Sequence, residues 1–192
     1  MEHLQTGVEP PTKVTSGDKE ALVVYDRATT CLDGFPAPTK DAEESTRAFQ
    51  QFIGPQEKVK LLYSDGSGEL DAASRTMEIP HDVSTPQRPQ NNGVAERAVR
   101  RVIEGTRCCL LQSGLCHSWW REAMRAYCYN RNASDVVEGG KTPYEHRFGQ
   151  PFGGMLLPFG CRVEYKPESE RETKKLQKFG PKLRPGIFMG HH

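Results

Sequence analysis

The chain has 192 residues, of which 35% are hydrophobic and 27% charged, and its formal net charge is +1. That length allows one domain with a sizeable core plus appendages and excludes two full domains. The near-zero total hides an uneven distribution: the first 80 residues are acid-rich, while segments 97–107 and 162–184 are basic, so a locally basic face is expected rather than a general polycation.

Residues 1–18 contain Pro10-Pro11, Gly7 and Gly17 and show no periodicity, which predicts a loop, a disordered tail or a residual strand. ALVVY at 21–25 is an apolar run of strand length, with 30–36 as its hairpin partner. Apolar positions at helical spacing predict a helix over 40–53, with Thr39 as N-cap and Gly54-Pro55 as its stop. Residues 59–63 and 79–84 read as two further strands. A long basic helix is expected over 94–112, capped by Asn91 or Asn92 and ended by Gly114. Segments 118–130 and 142–148 read as helices, 161–165 and 186–189 as strands, and 168–182 as a charged linker.

No apolar run reaches membrane-spanning length and residues 1–11 lack a signal-peptide core, so an intracellular protein without membrane contact is expected. Six cysteines without CxxC spacing read as reduced, mostly buried thiols. Cys108, Cys109, Cys116 and His117 are close in sequence, but adjacent cysteines on a helix diverge, which argues against zinc. Tandem Trp119-Trp120 at a helix start reads as core rather than as a base-stacking platform.

Two acidic residues carry the chemistry. Asp65 follows an apolar strand and precedes the flexible Gly66-Ser67-Gly68, which suits a ligand presented at a sheet edge. Glu96 lies in the first turn of the basic helix, where the helix dipole favours its ionised form. Taken singly, each is an ordinary turn former or cap neighbour. Jointly they match what phosphodiester chemistry requires, namely oxygen ligands for Mg²⁺ or Mn²⁺ on rigid elements.

The pair sits within a specific series of motifs. YSDGSGEL at 63–70 and STPQRPQNNGVAER at 84–97 resemble the Asp-Asn-Gly and Pro-Gln-x-Asn-Gly-x-x-Glu-Arg segments of retroviral and retrotransposon integrases, the copia type in particular. WWREAM, YNRN, TPYEHRFG, PFGCRVEYKP and RPGIFMG follow in the family's order, and DRATT with FPAPTKDAEE precedes them. The resemblance implies an α/β fold, a ribonuclease-H-like mixed sheet flanked by helices, with a truncated first strand and a charged C-terminal extension. It implies boundaries at 1–18 (disordered or residual first strand), 19–150 (truncated integrase catalytic core) and 151–192 (extension with charged linker). By that similarity Asp65 and Glu96 are the second and third catalytic and metal-binding carboxylates.

The family's first aspartate is not evident. Asp26 matches a non-catalytic position of the second strand, and the segment where the aspartate should fall reads MEHL, so Glu2 is the candidate replacement. Gln90, Asn92, Arg97, Arg100 and Arg101 are the expected nucleic-acid contacts, with arginines on backbone phosphates. The implied partners are DNA, both element ends and target, and further copies of the chain, acting in the nucleus. Two readings of function follow: a metal-dependent DNA strand transferase, or a catalytically dead nucleic-acid-binding remnant of that domain, which the missing aspartate favours. Another ribonuclease-H-like nuclease would explain the carboxylates but not the motif series.

Overall fold

A computed structural model describes residues 17–55, 57–83, 93–167, 173 and 180–191, together with the backbone of residues 2–7. Strand β2 (Glu20–Tyr25) is the apolar run expected from ALVVY. Ala21, Leu22, Val23 and Val24 are all at most 5% exposed, so the strand is buried on both faces, which is why its sequence is continuously apolar rather than alternating. Strand β3 (Leu32–Ala37) folds back antiparallel to it in full register, from Glu20↔Ala37 to Tyr25↔Leu32.

Of the alternatives for residues 1–18, the residual first strand is what forms over Glu2–Gly7, as strand β1, in place of a loop or tail there. It pairs antiparallel with β2, from Glu2↔Tyr25 to Gly7↔Glu20, and parallel with β4 (Leu62–Ser64) at Glu2↔Tyr63. EHLQTG has no apolar alternation to announce a strand. The pairing is supplied by its neighbours, whose inward backbone groups need a partner in a buried sheet. With β5 (His81–Val83) parallel to β4, the mixed sheet runs β3-β2-β1-β4-β5, and the first strand is its centre.

Helices cover both faces. Helix α1 (Ala42–Ile53) is capped by Asp41, not by Thr39: the Asp41 carboxylate accepts the Glu44 N–H at 2.9 Å, while Thr39 donates its hydroxyl to that same carboxylate. The Glu44 N–H, then the Thr39 hydroxyl, hold the Asp41 carboxyl below its ordinary pKa. Helix α2 (Gly68–Thr76) fills the short connection between β4 and β5. Together α1 and α2 bury Phe49, Phe52, Leu70 and Ala73 against Leu22, Val24, Phe35 and Leu62.

On the opposite face lie α3 (Gly93–Ser113) and α4 (Trp120–Ser134), the latter entered through a 3₁₀ turn, His117–Trp119. Val99, Val102, Leu110, Trp120, Ala123 and Met124 pack there on Ala21, Val23 and Leu32. Trp120 is core, as expected, and Trp119 packs against it half-buried. The two helices cross closely at Gly105, where an added Cβ would fall 2.2 Å from the Tyr127 ring.

Helix α5 (Pro143–Phe148) follows, capped by Thr142. Strands β6 (Arg162–Tyr165) and β7 (Arg184–Ile187) form a separate antiparallel pair, the last strand starting two residues earlier than expected. Reciprocal backbone bonds, Phe188 N–H to Cys161 O at 2.9 Å and Gly160 N–H to Phe188 O at 2.8 Å, join that pair to the chain beside buried Phe159. Burial of the cysteines is confined to Cys31 and Cys128; Cys108 and Cys116 are exposed, so "mostly buried" does not hold.

Candidate metal and nucleic-acid site

Asp65 lies immediately beyond the last residue of β4 and is exposed. Its Oδ1 accepts the Ser67 N–H at 3.3 Å, a local turn contact. Gly66 makes that turn possible: its φ is +78°, and an added Cβ would lie 2.4 Å from Val83 Cγ1 on β5. Any side chain at 66 would therefore be strained in backbone and blocked by its neighbour.

Beneath the turn lies a polar series that the sequence reading missed. Ser64 Oγ is 2.8 Å from His81 Nε2, and the Gly66 N–H donates to the same Oγ at 3.3 Å. His81 Nδ1 is 3.6 Å from Asp71 Oδ1, whose other oxygen is 2.8 Å from Arg75. Ser64 is fully buried and the His81 side chain 6% exposed. The signal was present: Leu62 pairs with His81 in parallel register, so 62, 64 and 81 share a sheet face, but that register is invisible before folding.

Glu96 lies in the first turn of α3 and is exposed. Among the described residues neither Asp65 nor Glu96 forms a salt bridge. No group of three or more His, Cys, Asp or Glu side chains there is clustered closely enough to hold a metal ion. The donor chemistry of the two carboxylates nevertheless fits a hard divalent cation: oxygen ligands, on the ends of rigid elements, open to solvent. Position 2 stands beside Tyr63 across the β1–β4 pairing, two residues before Asp65.

Arg97, Arg100 and Arg101 are exposed along α3, as expected. They line a groove of about 1000 Å³ together with Tyr25, Arg27, Glu104 and Tyr127. Arg27 and the two tyrosines were not anticipated, because they reach the groove from the β2–β3 turn and from α4. Gln90 and Asn92 lie outside the described residues.

Other motif residues have structural roles. In YNRN, Asn132 accepts the Leu32 N–H at 3.0 Å and donates to the Leu32 carbonyl at 2.8 Å, Arg131 donates to the Thr30 carbonyl, and Asn130 donates to the Leu157 carbonyl at 2.9 Å. In TPYEHRFG, Arg147 donates to the Phe52 carbonyl at the end of α1 and pairs with Glu57 at 2.9 Å.

Comparison with known proteins agrees with this geometry. The chain is 32% identical over 194 residues to a retrovirus-related Pol polyprotein from transposon TNT 1-94 of Nicotiana tabacum, a match covering 91% of the chain. A second, from transposon RE2 of Arabidopsis thaliana, is 30% identical over 112 residues and 55% of the chain. This chain is a homologue of retrovirus-related Pol polyproteins from plant transposons. It spans 14% of the length of the tobacco relative and 8% of the RE2 protein. No family model matches it. Among solved structures, the catalytic core domain of BIV integrase superposes with a TM-score of 0.55 at 19% identity, covering 77% of this chain and 92% of that one. The HTLV-2 integrase catalytic core domain, in complex with magnesium and in a trimeric form, gives 0.55 at 17% identity, covering 75% and 92%. At such identities the likeness establishes the fold: a mixed α/β integrase-core architecture of ribonuclease-H type.

Proposed function

We propose that this chain is the catalytic domain of a retrotransposon integrase, acting on DNA by metal-dependent strand transfer, with Asp65 and Glu96 as its recognisable carboxylates. The observation that carries the reading is their placement. Both are exposed at the ends of rigid elements of an integrase-core fold, and the backbone of Glu2 lies one strand away from Tyr63.

A bound Mg²⁺ or Mn²⁺ would supply an activated oxygen nucleophile and charge neutralisation at the phosphate. The chain's own residues do the rest. Asp65 and Glu96 would hold the cation through hard oxygen ligands, Glu2 would stand in for the first aspartate, and Gly66 sets the turn that presents Asp65. Arg97, Arg100 and Arg101 fix backbone phosphates in the α3 groove, a contact that positions DNA without reading its sequence. The core unit over residues 19–150 takes in β1 (Glu2–Gly7) as its central strand, and residues 151–192 form an extension. Such a domain would act in the nucleus, as an assembly of copies on element ends and target DNA.

The test is strand transfer between labelled oligonucleotides in Mg²⁺ or Mn²⁺. Activity that disappears in Asp65→Asn is expected; joining that is unaffected by Asp65→Asn would overturn the assignment. The alternative, a catalytically silent DNA-binding remnant, is favoured by the glutamate at position 2. A glutamate is one methylene longer than an aspartate, and a displacement of about one ångström costs on the order of 100-fold. Under the remnant reading, salt-sensitive DNA binding persists in Asp65→Asn and no metal restores joining. Glu2→Asp separates the two readings, because it raises joining only if the rest of the site works.

A further inference from the structure

Asp65 is itself exposed and, among the described residues, is held by one 3.3 Å contact, so its orientation comes from the turn beneath it. That turn rests on buried Ser64 and His81, with the part-exposed Asp71 carboxylate beside the far side of the His81 ring. Donor and acceptor roles follow from the partners. Asp71 can only accept while it is ionised, so His81 Nδ1 carries the proton facing it and Nε2 accepts from the Ser64 hydroxyl. The Ser64 oxygen then accepts the Gly66 N–H. The Asp71 carboxylate, 3.6 Å from His81 Nδ1, lies beyond hydrogen-bond length, and the hydrogen-bonded links run from His81 through Ser64 to the backbone immediately after Asp65.

A serine, histidine and aspartate in sequence also describe a nucleophilic relay. Ser64 is 0% exposed, however, and no substrate reaches its Oγ. A simple core role also falls short: an apolar trio would fill that space without burying the polar groups of Ser64 and His81. What the trio does that an apolar one would not is bind the Gly66 N–H and thereby lock the turn.

We propose that Ser64, His81 and Asp71 are positioning residues for Asp65, holding its carboxylate in the orientation that binds a divalent cation. The inference rests on the reading of Asp65 as a metal-holding residue. Positioning of this kind acts through pre-organisation, since an unlocked turn must be ordered each time the ion binds.

The experiment uses the full chain and Mn²⁺ as the probe, with free Mn²⁺ followed by electron paramagnetic resonance and Gly66 amide exchange followed by NMR. Asp65→Asn defines the loss of this carboxylate. Ser64→Ala and His81→Ala are expected to weaken Mn²⁺ binding roughly tenfold and to speed Gly66 exchange by a similar factor, the scale of one lost hydrogen bond. His81→Gln keeps an amide able to meet the Ser64 hydroxyl and is expected to recover affinity to within about threefold of the parent chain, a rescue that general loosening of the core would not give. If Asp65→Asn loses Mn²⁺ while Ser64→Ala binds it as tightly as the parent, positioning is overturned and the functional reading stands. If Asp65→Asn binds Mn²⁺ unchanged, the metal-holding role falls, and this inference with it. Should His81→Ala fail to fold, Ser64→Ala alone decides, because it removes only one oxygen atom.

Discussion

The polar motifs of this chain fall into two regions that behave in opposite ways. Asp65 and Glu96 themselves stand exposed, and among the described residues Asp65 makes only a local turn contact. Around α4 and α5, Asn130, Asn132, Arg131 and Arg147 are spent on backbone carbonyls and N–H groups of β3, α1 and the 157 loop. Arg131 is only 4% exposed. In sequence both sets look alike, as polar residues within family motifs. The structure separates them by what they bind: the first set is available to a ligand, and the second replaces missing backbone partners, which is architecture.

That contrast can be broken by substitution, because the first region should respond in activity alone and the second in stability alone. Glu96→Gln carries the largest expected effect, a roughly thousand-fold loss of strand transfer, while the thermal midpoint stays put because the side chain is exposed. A drop in the midpoint of several degrees would place Glu96 with the architectural set. Arg147→Ala should do the reverse. It removes a cation bound to the Phe52 carbonyl and to Glu57, and a loss of about 2–3 kcal/mol by chemical denaturation is expected, with DNA affinity unchanged.

Asp33 sharpens the same contrast through pH. Burial raises its carboxyl pKa to about 6, outweighing the Gly34 N–H and the more distant Arg125 and Arg147. A carboxyl raised on folding favours the native state when protonated. That contribution is complete below the unfolded value of 3.8 and is lost as pH rises to about 6. Asp33→Asn, neutral and still able to accept from Gly34, should therefore gain about 1–3 kcal/mol at pH 7 and almost nothing at pH 3.5. Denaturation curves at the two pH values check this, and an equal effect at both would refute it. The smallest effect is expected from Arg101→Ala, a three- to tenfold loss of DNA affinity with a salt slope shallower by about one, and no change in stability. An unchanged slope would remove Arg101 from the phosphate contacts.

Much of the fold was legible because its signals are local. ALVVY announced a strand, the 3.6-residue spacing over 94–112 announced α3, and the segment 142–148 was legible as the helix that forms as α5. Where cap residues compete, local signals fail: Thr39 and Asp41 both qualify by residue type, and Asp41 is the one whose side chain accepts the Glu44 N–H. The carboxylates were legible for another reason. Asp65 is marked by the glycines around it and Glu96 by its place in a helix's first turn, so their chemistry is written in adjacent residues.

What sequence alone determined is therefore the inventory: two carboxylates at element ends, a basic helix, and buried strands and helices in a known order. What only tertiary structure decided is everything that depends on pairing across distance. EHLQTG carries almost no strand signal, yet it is the central strand because β2 and β4 present backbone groups that require it. Ser64, His81 and Asp71 are unremarkable until parallel register brings 64 and 81 to one face and α2 lies over them. Hydrophobic period and turn chemistry act over a few residues and survive in the linear chain. Register and the satisfaction of buried polar groups are properties of the packed sheet, and they exist only once it has formed.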